Sequence, residues 1–227
     1  MRLRGILIGA LTVALGQLGF VGLAVADVSK GLYISGDVGV TRSPNQDFAG
    51  TSVTYDLGFG AGAQIGYAFG GPRVELEYTY RYNNAHTIGS GDGTVDATGS
   101  LRANAFLANF IYDFDTGSRW VPYVGLGLGA ANVQASTIRT AAPVSTTGSF
   151  LDGGSTELAG QLIVGVDFMT SEHVGLFLDF RGLWVKNPNM NYGTGCAGGA
   201  TAACATTGTT TYPYFNGAFN VGVRITF

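Results

Sequence analysis

Hydrophobic side chains return at every second position in stretch after stretch of this sequence, the repeat of strands that send alternate side chains to opposite faces. The clearest stretch is Arg73 to Tyr82, where Val74, Leu76, Tyr78, Tyr80 and Tyr82 alternate with Arg73, Glu75, Glu77, Thr79 and Arg81. The last stretch, Tyr214 to Phe227, places Phe215, Phe219, Val221, Val223, Ile225 and Phe227 on one face. Asn216, Asn220, Arg224 and Thr226 fall on the other. The same period predicts strands at about Leu32–Thr41, Tyr55–Phe69, Leu101–Phe114, Val121–Val133, Glu157–Phe168 and Val174–Val185. In Leu101–Phe114 the alternation is less clean and leaves Leu107 and Ile111 on the polar side. The pattern therefore predicts eight strands.

Their connections alternate in length. Gly70–Pro72, Asp115–Arg119 and Met169–His173 are short turns, whereas 42–54, 83–99, 134–156 and 186–212 are long. Outer-membrane barrels have an even number of strands, short periplasmic turns and long extracellular loops. Closure pairs the last strand with the first, so that no backbone edge meets lipid. A soluble sandwich or lipocalin-like barrel would give the alternation but has no reason for the loop asymmetry. The expected fold is thus all-β, an eight-stranded antiparallel up-and-down transmembrane β-barrel over residues 27–227 with four long extracellular loops. The six prolines fit, lying in loops, turns or at strand starts. Aromatics gather at the two expected interfaces. Tyr67, Phe69, Tyr112, Phe114, Trp120, Phe168 and Phe227 lie toward the turns, and Tyr78, Tyr80, Tyr82 and Trp184 toward the long loops.

Composition adds to this picture. Only 12% of the 227 residues are charged and 37 are glycine. Soluble domains carry about a quarter charged residues. Met1–Ala26 has Arg2 and Arg4, an apolar run and Ala24-Val25-Ala26, the layout of a cleaved secretory signal rather than of an uncleaved helical anchor. Without Arg2 and Arg4 ten basic residues remain against 15 acidic ones, a net charge of −5, which excludes the basic footprint of a nucleic-acid binder.

The segments Gly58–Tyr82, Asn109–Gly129 and Tyr214–Phe227 resemble the small outer-membrane β-barrel superfamily, which includes OmpA-like transmembrane domains and rickettsial-type major surface proteins. Gly71 to Glu77 is most similar to the latter. The resemblance covers most of the chain, and its motifs are architectural rather than chemical. It implies a Gram-negative outer-membrane location, a terminal Phe227 that serves as an assembly signal, and a role in envelope integrity, adhesion or antigenicity. The implied partners are outer-membrane lipid and lipopolysaccharide, the barrel-assembly machinery with periplasmic chaperones, and host or cell-surface ligands of the loops. The peptidoglycan-binding domain of full-length OmpA proteins is not expected here.

Candidate chemistry is sparse. The glycines of Gly125-Leu126-Gly127-Leu128-Gly129 keep the strand period and do not complete a phosphate-binding motif, so they read as space for bulky neighbours in a narrow barrel. Asp37, Glu75, Glu77, Arg81, Asp179, Arg181 and Arg224 all point inward in this register. The third and seventh of eight strands face each other, so Glu77 and Arg181 are expected to meet. Such charges form either a structural ion-pair plug or the lining of a gate. His86 near Ser90 and Asp92 is a weak triad candidate, and His173 lies in a turn beside Glu172. Catalytic, metal and cofactor sites are therefore not expected. Cys196 and Cys204, alone in the longest loop of an exported protein, are expected to form a disulfide.

Overall fold

The computed structural model describes residues 30–48, 51–90, 93–140, 151–192, 208–211 and 213–227. The expected leader and the Cys196–Cys204 pair lie outside the described residues. The strands are β1 (Lys30–Arg42), β2 (Gln46–Phe48), β3 (Thr51–Tyr55), β4 (Gly58–Phe69), β5 (Pro72–Ser90) and β6 (Gly93–Asp113). They continue as β7 (Trp120–Thr140), β8 (Leu151–Met169), β9 (Val174–Val185), β10 (Asn189–Tyr192), β11 (Gly208–Thr211) and β12 (Tyr214–Thr226).

Eight of these close a ring in the order β1, β4, β5, β6, β7, β8, β9, β12. The seam is antiparallel, from Tyr33 opposite Thr226 to Arg42 opposite Gly217. The Phe227 amide also donates to the Leu32 carbonyl at 2.9 Å. Gly31, at φ 134°, leaves room there, since a Cβ would run into the Phe227 carbonyl oxygen.

Alternation sorts the side chains as the period requires. Leu32, Leu76, Phe110, Leu126, Leu178 and Val221 point outward and are exposed, while Arg73, Glu77, Asn109, Gln161 and Arg181 are buried in the interior. Ring pairs Tyr67–Phe69, Tyr112–Phe114 and Trp120–Phe168 lie at the turn end. Phe59–Tyr82, Tyr78–Phe106 and Phe180–Phe219 lie toward the other end.

The expected loops need correction. β5 and β8 run for 19 residues and β6 and β7 for 21, whereas a tilted strand crosses a bilayer in about 9–11. Most of 83–99 and much of 134–156 are therefore hairpin, continuing the barrel wall beyond the membrane. The segment 42–54 contributes β2 and β3, which pair with each other and extend the sheet from β5. The segment 186–212 contributes β10 and β11, with β10 attached to β8.

Beyond the membrane the polarity of the wall reverses. Inward positions become apolar: Val53, Tyr55, Ala85, Ile88, Leu101, Ala103, Val133, Ala135 and Ile138 form one buried cluster. Outward positions such as Asn84, His86, Asp96, Arg102 and Gln134 are polar and exposed. Lipid selects apolar outward faces within the bilayer, and water selects polar ones above it.

Candidate functional site

The interior within the membrane is a stack of polar layers. At its centre Arg181 of β9 reaches across the lumen to β5. Its Nη1 lies 2.7 Å from Glu77 Oε2 and 3.7 Å from Glu75 Oε1, while its Nε donates to Asp179 Oδ2 at 2.9 Å. Neutral donors complete the layer. Asn109 Nδ2 donates to Glu75 Oε1 at 2.9 Å and Glu77 Oε2 at 2.6 Å, and Gln161 Nε2 to Glu77 Oε2 at 2.7 Å. Tyr33 donates to Glu75 at 2.8 Å, and Tyr123 and Asn220 donate to Asp179 at 3.1 and 2.9 Å. A carboxylate in a dry interior stays tolerable only with this many donors.

Toward the turns lies a second charged layer. Arg73 Nε sits 3.1 Å from Asp113 Oδ1, and Arg224 Nη1 donates to Asp167 Oδ2 at 2.5 Å. Both guanidinium groups lie over aromatic faces, Arg73 at 4.6 Å from the Tyr123 ring centroid and Arg224 at 5.2 Å from that of Tyr33. Glycines make room for these rings. A Cβ on Gly66 would collide with Tyr33, and one on Gly165 with Tyr123. Toward the hairpins, Arg81 Nη2 donates to Gln161 Oε1 at 3.1 Å, and its Nη1 to the Asn216 carbonyl at 2.6 Å and the Arg181 carbonyl at 3.2 Å. Asn216, Asn83, Ser43 and Thr41 close that layer under the apolar crown.

The structure thus brings Glu75, Glu77, Asp179 and Arg181 into one cluster and puts Arg224 in another. It does not bring Arg81 or Asp37 into an ion pair: among the described residues Arg81 is held by amides and carbonyls, and Asp37 accepts from Gln64. The charged residues absent from the expected set are Arg73, Asp113 and Asp167. All three lie on the inward phase of their strands, so alternation alone was the signal for them. His86 Nδ1 lies 3.0 Å from Asp56 Oδ1, and both residues are exposed. The Ser90 side chain and Asp92 lie outside the described residues. In the turn, His173 Nδ1 is 3.1 Å from the Thr226 carbonyl.

Comparison with known proteins agrees with this geometry. The outer membrane protein beta-barrel domain family matches residues 12–227. Outer membrane protein PagN of Salmonella typhimurium is 28% identical over 137 residues, half of this chain and 57% of PagN. The chain therefore spans little more than half the length of that relative. Neisserial surface protein A superposes with a TM-score of 0.58 at 19% identity, covering 87% of this chain and 97% of its own. OprG of Pseudomonas aeruginosa superposes with a TM-score of 0.55 at 15% identity, covering 89% and 99%. At these identities the likeness is one of fold.

Proposed function

Because the chain belongs to the outer membrane protein beta-barrel domain family, we propose that it works as a plugged, non-enzymatic surface barrel whose extracellular hairpins engage ligands of other cells. It is an outer-membrane protein of the Gram-negative envelope. With short turns in the periplasm, the hairpin end faces outside.

The observation that carries this reading is the Arg181 layer. One guanidinium and three carboxylates, fixed by four neutral donor side chains from other strands and by Tyr33, tie opposite walls of the lumen together. A conducting lumen needs mobile water, whereas small barrels are filled by side chains. The second support is the crown. Its buried apolar cluster gives the hairpins a core of their own, which suits them to present a fixed surface rather than to flex as a lid.

Planar-bilayer recording and cell binding test the two halves of the proposal. The wild-type barrel is expected to pass no steady current, and Arg181→Ala to produce one by opening the layer. Steady wild-type current altered by Arg181→Ala would assign the lumen to solute passage instead. Exchange of 83–99 for a short turn should abolish adherence of barrel-displaying cells to host-cell monolayers while heat-modifiable mobility is kept. Undiminished adherence would remove the hairpins from the role.

A further inference from the structure

The lipid-facing surface carries a notch beside the closing seam. Gly217 of β12 is the register partner of Gly182 of β9 on one side and of Arg42 of β1 on the other. Two adjacent outward positions thus lack side chains. Phe215 and Trp184 pair on the hairpin side of them, and Phe219 and Phe180 on the side of the membrane centre. The Phe180 and Phe215 rings lean over Gly182 and bury it, and beside Gly217 they leave a groove of about 320 Å³, walled by Val40, Leu57 and the three phenylalanines, with Arg42 and Pro44 at its hairpin-side rim.

Two features say what fits it. The first is charge. Arg42 is exposed, and among the described residues no carboxylate lies within ion-pair distance of it. Exposed Lys186 adds a second positive charge at the same end of β9. The second feature is depth. The groove lies at the level of the outer aromatic girdle, where a guanidinium reaches headgroups while the groove floor stays in hydrocarbon. Its volume is at the low end of ligand sites, about 300–1,000 Å³, and suits a hydrocarbon tail rather than a folded segment. A second barrel would need a broad complementary face of roughly 1,000 Å² or more, whereas this site is a recess between a few rings.

We propose that the groove binds one acyl chain of a phosphorylated outer-leaflet lipid, with Arg42 ion-paired to the phosphate. Arg42 then sets headgroup preference, Gly217 admits the chain, and Gly182 lets the Phe180 and Phe215 rings lie back to form the wall.

The test uses the whole protein in phosphatidylcholine nanodiscs doped with lipid A or with its dephosphorylated form, with retained lipid counted by native mass spectrometry. Wild type should retain lipid A about fivefold over the dephosphorylated form, the effect of one basic side chain at a membrane surface. Arg42→Gln should remove that preference, and its position at a strand end leaves the barrel ladder untouched. Gly182→Leu should lower retention of both forms. This variant is chosen because a Cβ there meets the Phe180 and Phe215 rings at an ordinary 3.5 Å, whereas at Gly217 it would press on Phe180 at 3.0 Å. Equal retention of the two lipids by wild type, or an unchanged preference in Arg42→Gln, overturns the proposal. A lipid-free dimer as the main species would give the groove to a second copy and overturn it as well.

Discussion

Arg181 on β9 and Glu77 on β5 meet across the lumen at 2.7 Å, although they are far apart around the wall. The contact is asymmetric in charge: Arg181 faces Glu75 and Asp179 as well, while Glu77 has Arg181 as its one ion-pair partner among the described residues.

That asymmetry predicts unequal losses. Arg181→Met strands three carboxylates and should cost at least the 3–5 kcal/mol typical of breaking a buried pair, about twice the loss for Glu77→Gln. Glu77→Gln leaves Arg181 two carboxylates and should cost about 2 kcal/mol. The double variant should cost less than the sum, because Glu77 is then no longer among the carboxylates that loss of Arg181 strands, although Glu75 and Asp179 still are. Urea titration of the refolded barrel in detergent measures all three. Additive losses would mean that the two side chains do not share an interaction in the folded protein.

The neighbouring position tests the other face. Leu178 is 60% exposed to lipid, one residue before the buried Asp179. Leu178→Arg should lower stability by roughly 2–4 kcal/mol through lipid contact alone, with no coupling to Glu77→Gln. A loss below about 0.5 kcal/mol would place this side chain outside the hydrocarbon band.

The membrane-level strands were legible because lipid enforces one polarity on every outward position. Val174–Val185 matches β9 at both ends, and β1, β4 and β12 agree within a few residues. The upper halves of β5 to β8 were not legible, for two physical reasons. Polarity reverses there, so outward Asn84 and His86 read as loop. A register shift between Asn84 and Thr87 also breaks the period of two just where Ala85 and Ile88 turn inward. In the lumen, the Glu77–Arg181 contact followed from facing strands. The amide partners of Arg81 did not, since Asn216 and Gln161 are set by the stagger of three strands, which alternation does not encode.

Closure of the seam gives the next expectation. Phe227 is 68% exposed, and its amide extends the β1–β12 ladder by one bond to Leu32. Deleting it should reduce the yield of assembled barrel in outer-membrane fractions more than the stability of the barrel that does assemble. Equal yield with and without Phe227 would show that recognition for assembly does not use this residue.

Oxidation of Cys196 and Cys204 can be tested directly. Non-reducing mass spectrometry of barrel extracted from outer membranes should find one intrachain bond that joins them. Because the closed ladder does not depend on it, reduction should leave heat-modifiable mobility intact. Two free thiols in freshly extracted protein would remove the bond.

The crown supplies the last prediction, which separates a hydrophobic core outside the membrane from a mere extension of strands. Ile88 is 2% exposed and lies in one cluster with Val53, Leu101, Val133 and Ile138, above the polar plug. Truncating a buried aliphatic side chain costs about 2–5 kcal/mol where its surroundings cannot collapse, and a buried charge costs more. That cost falls on the hairpins alone, since the membrane-level wall has its own closed ladder. Ile88→Asp should therefore make the crown of whole-cell-displayed barrel open to external protease while the band of membrane-embedded barrel survives. His86→Gln, only two residues away but outward and exposed, should leave the digestion pattern unchanged, since it places no second carboxylate against Asp56. Equal protection in Ile88→Asp and wild type would mean that the hairpins are held by backbone pairing alone and that the inward apolar residues do not form a core.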